Sequence, residues 1–519
     1  MKKIIFIIYL LLGSTLFADW DNEQKLTASD GAAYNYFGNS ISIDGDYAVI
    51  GAFKDGDNWS MSGSAYIFLK SGTDWIEQAK ITASDATVDD YFGYSVSISG
   101  DYAVIGAYGG DDNGTDSGSA YIFYRSGTTW SEQAKIIATD GATEDRFGCS
   151  VSISGDYAIV GAWGVDDYGI DRGSAYIFYR SGTDWIEQAK LTAPEVMDED
   201  LFGYSVSISG DYAIVGSHYD DDNGEESGSA YIFYRSGTNW TEQIKLTAPD
   251  GAAYDWFGYT VSINGDYAAI GAHWDDDNGS NSGSAYLFNR IGTLWTQQTK
   301  ITADDGNADD EFGRSVSIDG DYTVIGACHD DGNGIDRGSA YIFHRNGTNW
   351  SQQAKITASD GADFDYFGCP VSISGNHALI SASYDDDNGI DSGSSYIYFN
   401  DGVSIEENTY VPDNKILLEN YPNPFNPTTT IYFNFINEQN QQVELEIYNL
   451  KGQKVKDLSP SLHSLSSRAE SRDEVRGESR YSVVWNGTDE NNQPVSSGIY
   501  FYKLSSGDIE VSRKMLLLK

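Results

Sequence analysis

The sequence is short of cysteine, proline, histidine and positive charge, and each shortage excludes something. Its 519 residues hold 3 Cys, 9 Pro and 6 His. Three thiols, Cys149, Cys328 and Cys369, cannot make a disulfide framework, so buried small hydrophobes are the expected role. Only 32 Lys and Arg stand against 78 Asp and Glu, a net charge of −46. A nucleic-acid partner is thereby excluded, because phosphate binding needs a basic face. Cations, or plain solubility in a salty exterior, suit such a surface. The acid is unevenly spread: residues 1–403 carry 62 acidic and 20 basic residues, and 404–519 carry 16 and 12.

Long apolar runs are also missing. Ile4–Leu12 is too short to span a bilayer, and no later stretch is long enough. With Lys2 and Lys3 before it and Ser14–Ala18 after it, residues 1–18 read as a secretory signal. Catalytic motifs are lacking too. There is no Gly-x-Ser-x-Gly elbow, no His-Glu-x-x-His, no Gly-Lys phosphate loop and no Cys-x-x-Cys pair. His218, His273, His329 and His344 are scattered along the chain, and carboxylate pairs are too common for one to be singled out. We expect no catalytic residues, with a glycan-processing hydrolase or lyase as the residual alternative.

What is present is repetition. Phe37, Phe92, Phe147, Phe202, Phe257, Phe312 and Phe367 follow one another at steps of 55 residues, and Trp20 to Trp350 keep the same beat. A fixed period of this length without helical patterning signals a solenoid, propeller or array. Each unit offers four strands. In the second, Gly93–Ser99 alternates Ser with Val and Ile, Gly100-Asp101 makes a tight hairpin, and Tyr102–Ala107 runs back. An acidic loop then leads to Ser119–Arg125, and a Ser-Gly-Thr turn leads to Trp130–Ala138. Small inner strands and aromatic outer ones give the taper of a propeller blade. The seventh unit lacks its Trp strand, while a spare one, Trp20–Ala28, precedes the first Phe-Gly. Pairing the two closes a ring and removes two exposed edges. The expected fold is all-β: a seven-bladed β-propeller over 19–403. In such a ring Cys149 and Cys369 lie nearly opposite each other, too far apart to bridge.

The pattern Phe-Gly-x-Ser-Val-Ser-Ile-Ser-Gly-Asp-Tyr-Ala-Val-Ile-Gly-Ala resembles the FG-GAP repeat of integrin α-subunit propellers and bacterial surface proteins, although Pro does not follow Gly-Ala here. The resemblance implies a seven-bladed propeller and raises calcium binding. In integrin-like propellers the calcium loop joins the first two strands, which here are joined by a tight hairpin.

Strand direction puts the acidic loops and the connections between units on one face. Metal candidates there are Asp111, Asp220, Asp222, Asp275, Asp277, Asp385 and Asp387, in loops such as Asp220-Asp221-Asp222-Asn223-Gly224. Calcium favours several such oxygens. Counting back from the loop Gly, however, the first ligand position holds Gly109, Gly164, Tyr219, Trp274, His329 or Tyr384, never a carboxylate. The plainer expectation is Asx-turns at solvated loop tips, and local turn formation by the Asp two residues before each Phe. Aligning the repeats locates the variable positions. Trp163, His218 and His273 follow Gly-Ala, Trp256 precedes Phe-Gly, and Tyr219, Trp274, His329 and Tyr384 lie one residue further on. Aromatics and His beside carboxylates suit recognition of an extracellular glycan or protein; drift at loosely packed loop positions is the alternative.

Beyond a polar linker at 404–415 the grammar changes. Short alternating strands between 416 and 519 suggest a small Ig-like β-sandwich. This tail resembles the type A C-terminal sorting domain of the type IX secretion system. The matching residues include Tyr421-Pro422-Asn423-Pro424-Phe425-Asn426-Pro427, Gly498, Tyr500, and the end from Lys514 to Lys519. It implies export across the outer membrane by that machinery, to the medium or the cell surface. Residues 459–480, with Arg468, Arg472, Arg476 and Arg480 four apart, read as a disordered insertion. The function expected is a secreted or surface adhesion propeller that binds through its acidic face. The alternative is a calcium-dependent structural surface protein.

Overall fold

The computed structural model describes residues 20–400 apart from 21, 57–59, 168 and 333. In the tail it describes 418–517 apart from 422–426, 436–442, 450, 452, 460–478, 491–492 and 507–508. The signal at 1–18, the linker at 404–415 and most of 459–480 lie outside the described residues. The chain forms two compact units, Met1–Ser404 and Ile405–Lys519.

In the first unit 28 strands make seven four-stranded antiparallel sheets, one per repeat. The second sheet is typical: Ser95–Ser99, Tyr102–Ala107, Ser119–Ser126 and Thr129–Ile136, inside to outside. Its first hairpin turns at Gly100, whose φ of +59° is a left-handed value that glycine adopts without strain. A side chain there would meet nothing, so conformation rather than space selects glycine. The Phe-Gly and Gly-Ala glycines are selected by space. A Cβ on Gly51 would overlap the Gly93 carbonyl of the next sheet. Phe92 is wholly buried between sheets, edge-on to Tyr121 at 5.4 Å and to Phe123 at 6.0 Å.

The serine alternation has a clear cause. The innermost strand of a sheet is an edge, and its free N–H groups need acceptors. Ser40 and Ser42 of the first sheet accept from the Val96 and Ile98 N–H groups of the second, at 2.9 and 3.1 Å. The same ladder repeats from sheet to sheet, and Ser372 and Ser374 of the seventh accept from Ile43 and Gly45 of the first, at 3.3 and 3.1 Å. Backbone links agree. Phe37 N–H donates to the Ser392 carbonyl at 3.0 Å, as Phe92 does to Ser62 at 2.9 Å.

The seventh sheet takes its outer strand from the other end of the chain. Asn22–Leu26 pairs antiparallel with Ser394–Phe399, Lys25 opposite Tyr396. Trp20 is buried among Val324, Ile342 and Tyr396, and meets Tyr322 edge-on at 5.7 Å. The architecture is therefore propeller-like, with its missing strand supplied as the repeat count requires.

The second unit has a three-stranded and a four-stranded sheet around one core. Ile431, Val483 and Trp485 of one sheet pack with Leu445, Tyr502, Leu504 and Met515 of the other. That is a small β-sandwich.

Candidate functional site: the mouth of the central cavity

The inner strands surround a cavity of about 610 Å³. The residue after each Phe-Gly lines it: Asn39, Tyr94, Cys149, Tyr204, Tyr259, Arg314 and Cys369. Each stands one or two residues before an inner strand, which begins at Ile41, Ser95, Ser150, Val206, Thr260, Ser315 or Val371. These positions went unnoticed in the sequence, although they vary while everything around them repeats.

Above the cavity, on the face carrying the acidic loops, aromatic rings form a near-continuous belt. Running around it, His329 meets Tyr366 at 4.9 Å, Tyr366 meets Tyr384 at 5.1 Å, and Tyr384 meets Tyr36 at 5.2 Å. Phe53 follows, 5.7 Å from Tyr36 and 6.0 Å from Tyr91, and Tyr91 stacks on Tyr108 at 5.1 Å. Arg146 then bridges Tyr108 and Trp163, 5.6 and 5.4 Å from their centroids. A second group lies across the ring. Trp256 stacks on Trp274 at 3.6 Å and meets Tyr219 at 5.4 Å. His218 and His273 lie beneath Trp256 and are buried, 2% and 1% exposed. Burial pushes the His218 imidazole down to about 3, so it stays neutral. Of the eight expected ligand residues, the structure thus gathers Trp163, His329 and Tyr384 in one arc. It places Tyr219, Trp256 and Trp274 in another, over the two buried histidines.

The residue before each Phe-Gly, from Tyr36 to Tyr366, has a left-handed backbone, with φ between +53° and +58°. Two further positions per repeat share it, Tyr34 and Met61 among them. Such residues often mark active sites. Here recurrence in every repeat makes them part of the scaffold.

The acidic loops are largely self-satisfied. In the fifth repeat the Lys300 Nζ lies 2.7 Å from Asp275, 2.5 Å from Asp277 and 3.0 Å from Asp250. The Tyr286 hydroxyl donates to Asp275 and Asp250, both at 3.0 Å. Burial raises the Asp250 carboxyl, but the Lys300 and Tyr286 hydrogen bonds outweigh it and hold the group below its ordinary range. Lys245 joins Asp220 and Asp222, at 2.7 and 2.5 Å. Lys25 joins Asp385 and Asp387, at 2.9 and 2.5 Å. Six of the seven candidate calcium ligands therefore bond an ammonium of the chain itself. The seventh, Asp111, accepts the Asp116 N–H at 2.9 Å, a local bond that closes its own loop. The sequence held a signal for this arrangement: Lys25, Lys80, Lys135, Lys190, Lys245, Lys300 and Lys355 also recur every 55 residues.

The Asp two residues before Phe is a turn former. Asp255 accepts the Ala252 N–H at 2.7 Å, and Asp365 the Ala362 N–H at 2.6 Å. Burial lifts both carboxyls to about 6.

In the tail, Gly498, Tyr500 and Lys514 lie on strands, and Tyr421 ends one. The Tyr500 hydroxyl donates to the Ser496 carbonyl at 2.8 Å. Pro427 is exposed, and residues 422–426 and Lys519 lie outside the described residues. Among the described residues no helix is long and apolar enough to cross a membrane.

Seven radially arranged sheets around a cavity define a repeat propeller, here followed by a separate sandwich. The family model of the FG-GAP repeat matches seven segments, 20–68, 75–123, 130–178, 185–233, 240–288, 295–343 and 350–398. Together these exceed half of the chain, which belongs to the FG-GAP repeat family. Residues 419–471 match the secretion system C-terminal sorting domain, which implies type IX export to the surface or the medium and contact with that machinery. No curated protein matches. Among solved structures, a fungal AA5-family alcohol oxidase in complex with copper is 8% identical, with 96% of this chain and 99% of that one covered and a TM-score of 0.48. PorZ, described as an essential surface component of the type IX system of Porphyromonas gingivalis, is 12% identical, with 92% and 75% covered and a TM-score of 0.26. An exo-β-1,3-galactanase from Phanerochaete chrysosporium is 10% identical, with 71% and 88% covered and a TM-score of 0.30. At such scores none of these likenesses bears on activity.

Proposed function

We propose that this secreted surface propeller is a non-catalytic binding and adhesion module that recognises an extracellular glycan or protein through the mouth of its ring. One observation carries the reading. On the acidic face, large apolar side chains are exposed together across the sixth, seventh and first repeats: Ile335, Phe364, Tyr384, Ile390 and Tyr34, between 43% and 55%. Backbone bonds keep them adjacent, since Phe364 N–H donates to the Ile335 carbonyl at 2.9 Å and Tyr34 N–H to that of Ile390 at 2.7 Å. Exposed rings grouped beside carboxylates suit stacking on sugar faces with hydrogen bonds to hydroxyls. The carboxylates beneath are held by lysine, which leaves the rings as the recognition element. A glycan array on the purified chain is the test. Binding that survives Tyr384→Ala combined with Phe364→Ala would remove this surface from the reading.

A further inference from the structure

The sixth and seventh repeats depart from the others at the cavity wall. Glu311 stands before Phe-Gly, Arg314 after it, Cys328 after Gly-Ala with His329 next, and Cys369 follows the seventh Phe-Gly. The ligand-capable atoms of Glu311, Cys328 and His329 all lie within 4.8 Å of one another. Cys369 lines the same cavity as Cys328 and His329, which offers a fourth donor beside the trio. Cys328, His329 and Cys369 also line the central cavity, which gives an ion its route in.

The orientation of His329 is informative. Its Nδ1 bonds Asp336 at 3.0 Å, which turns Nε2 toward the Glu311 carboxylate, 3.6 Å away. With the proton on Nδ1, the Nε2 lone pair faces Glu311 Oε2, the oxygen that the Arg314 guanidinium also bonds. Two N and O ligands on a tetrahedral zinc, with bonds of about 2.0–2.1 Å, stand about 3.4 Å apart. Carboxylate, imidazole and metal in that order is the usual way a ligand histidine is fixed. The Arg314 guanidinium also bonds Glu311. Two thiolates and one carboxylate against this arginine leave a charge of −2, matching a divalent ion.

We propose that Glu311, Cys328, His329 and Cys369 form a site for a thiophilic divalent metal ion of the zinc type, tying the sixth repeat to the seventh at the axis. Sulfur and imidazole select such an ion over calcium or magnesium. This site is separate from the acidic loops and does not depend on the recognition surface proposed above. Cys328 and Cys369 are the two thiols the site would use, and both line the cavity. Binding by this pair replaces two S–H bonds with two metal–sulfur bonds and releases two protons, so affinity rises with pH.

The test uses the full chain, reduced with a phosphine, stripped by a chelator and titrated with zinc sulfate against a chromophoric competitor. One tightly bound zinc per chain is expected, with a higher melting temperature. Cobalt(II) in its place should show thiolate-to-metal absorption and tetrahedral visible bands. Cys328→Ser and His329→Gln should each weaken binding by about 100-fold or more, and Asp336→Asn, a positioning residue, by about 10–100-fold. Cys149→Ser, which alters the remote third thiol, should leave binding unchanged. Should Cys328→Ser fail to fold, His329→Gln and the cobalt spectrum still decide. Absence of stoichiometric zinc, a cobalt spectrum without thiolate bands, or equal effects of Cys149→Ser and Cys328→Ser would overturn the proposal.

Discussion

Replacing Lys300 with Ala tests how the acidic face holds together. The change removes the ammonium shared by Asp250, Asp275 and Asp277, whose side chains are 47%, 3% and 61% exposed. The two exposed pairs are worth about 0–1 kcal/mol each. Removing one partner of a buried pair costs about 3–5 kcal/mol, because the other charge stays behind unpaired. Asp275 keeps the Tyr286 hydroxyl and the Asp277 N–H, both at 3.0 Å, which places the expected loss near the lower limit, about 3 kcal/mol. Urea unfolding of the full chain, followed by tryptophan fluorescence, measures it. Asp275→Asn added to Lys300→Ala should restore part of the loss, since it removes the uncompensated charge. Millimolar calcium should stabilise Lys300→Ala, whose three carboxylates are freed together, and leave the parent chain unshifted. A loss below about 1 kcal/mol, no recovery with Asp275→Asn, or a calcium shift in the parent would refute the reasoning.

Deleting residues 1–28 should strip the outer strand from Ser394–Phe399 and leave Asp385 without Lys25; a sharply lower melting temperature and early proteolysis near residue 399 are the expected readouts. Ser207→Ala removes the acceptor of the Ile263 N–H, now at 3.1 Å, and should cost about 1–2 kcal/mol by the same unfolding assay. Acid response should have two signs. Burial lifts Asp255 from 3.8 to about 6, so its contribution is full below 3.8 and disappears as pH rises through 6; Asp255→Asn should abolish that part of the melting-temperature profile. Burial lowers His218 from 6.5 to about 3, so its contribution is full above 6.5 and is lost as pH falls toward 3; His218→Gln should flatten that limb.

Most of the propeller could be read from the chain, because repetition turns one sequence into its own alignment. Tyr102–Ala107 was placed to the residue, and the unpaired Trp strand at the start was matched to the seventh unit. In the tail, Leu418–Tyr421 and Lys454–Asp457 went unseen, being too short to show alternation. The aromatic positions of the mouth were legible as variable columns, but depth was not. His218 and Tyr384 both sit at loop starts in sequence, yet one is 2% exposed and the other 43%. The lysine cages were missed for a related reason: Lys300 lies 23 residues from Asp277 and 50 from Asp250, so only strand register brings them together. Cys328 and Cys369 occupy different columns of the repeat, and their meeting follows from the offset between adjacent sheets.

The strand that completes the seventh sheet lies 377 residues from its partner, as in the contact of Asn22 with Phe399. Loop closure over such a span is slow and comes last. A growing chain can assemble the first six sheets in turn, yet its earliest folded segment must wait for the final repeat before it finds a neighbour. Before that pairing forms, Asn22–Leu26 and Ser394–Phe399 each present an unpaired strand edge. The chain between these two strands therefore sets how long both edges stay open to wrong pairing.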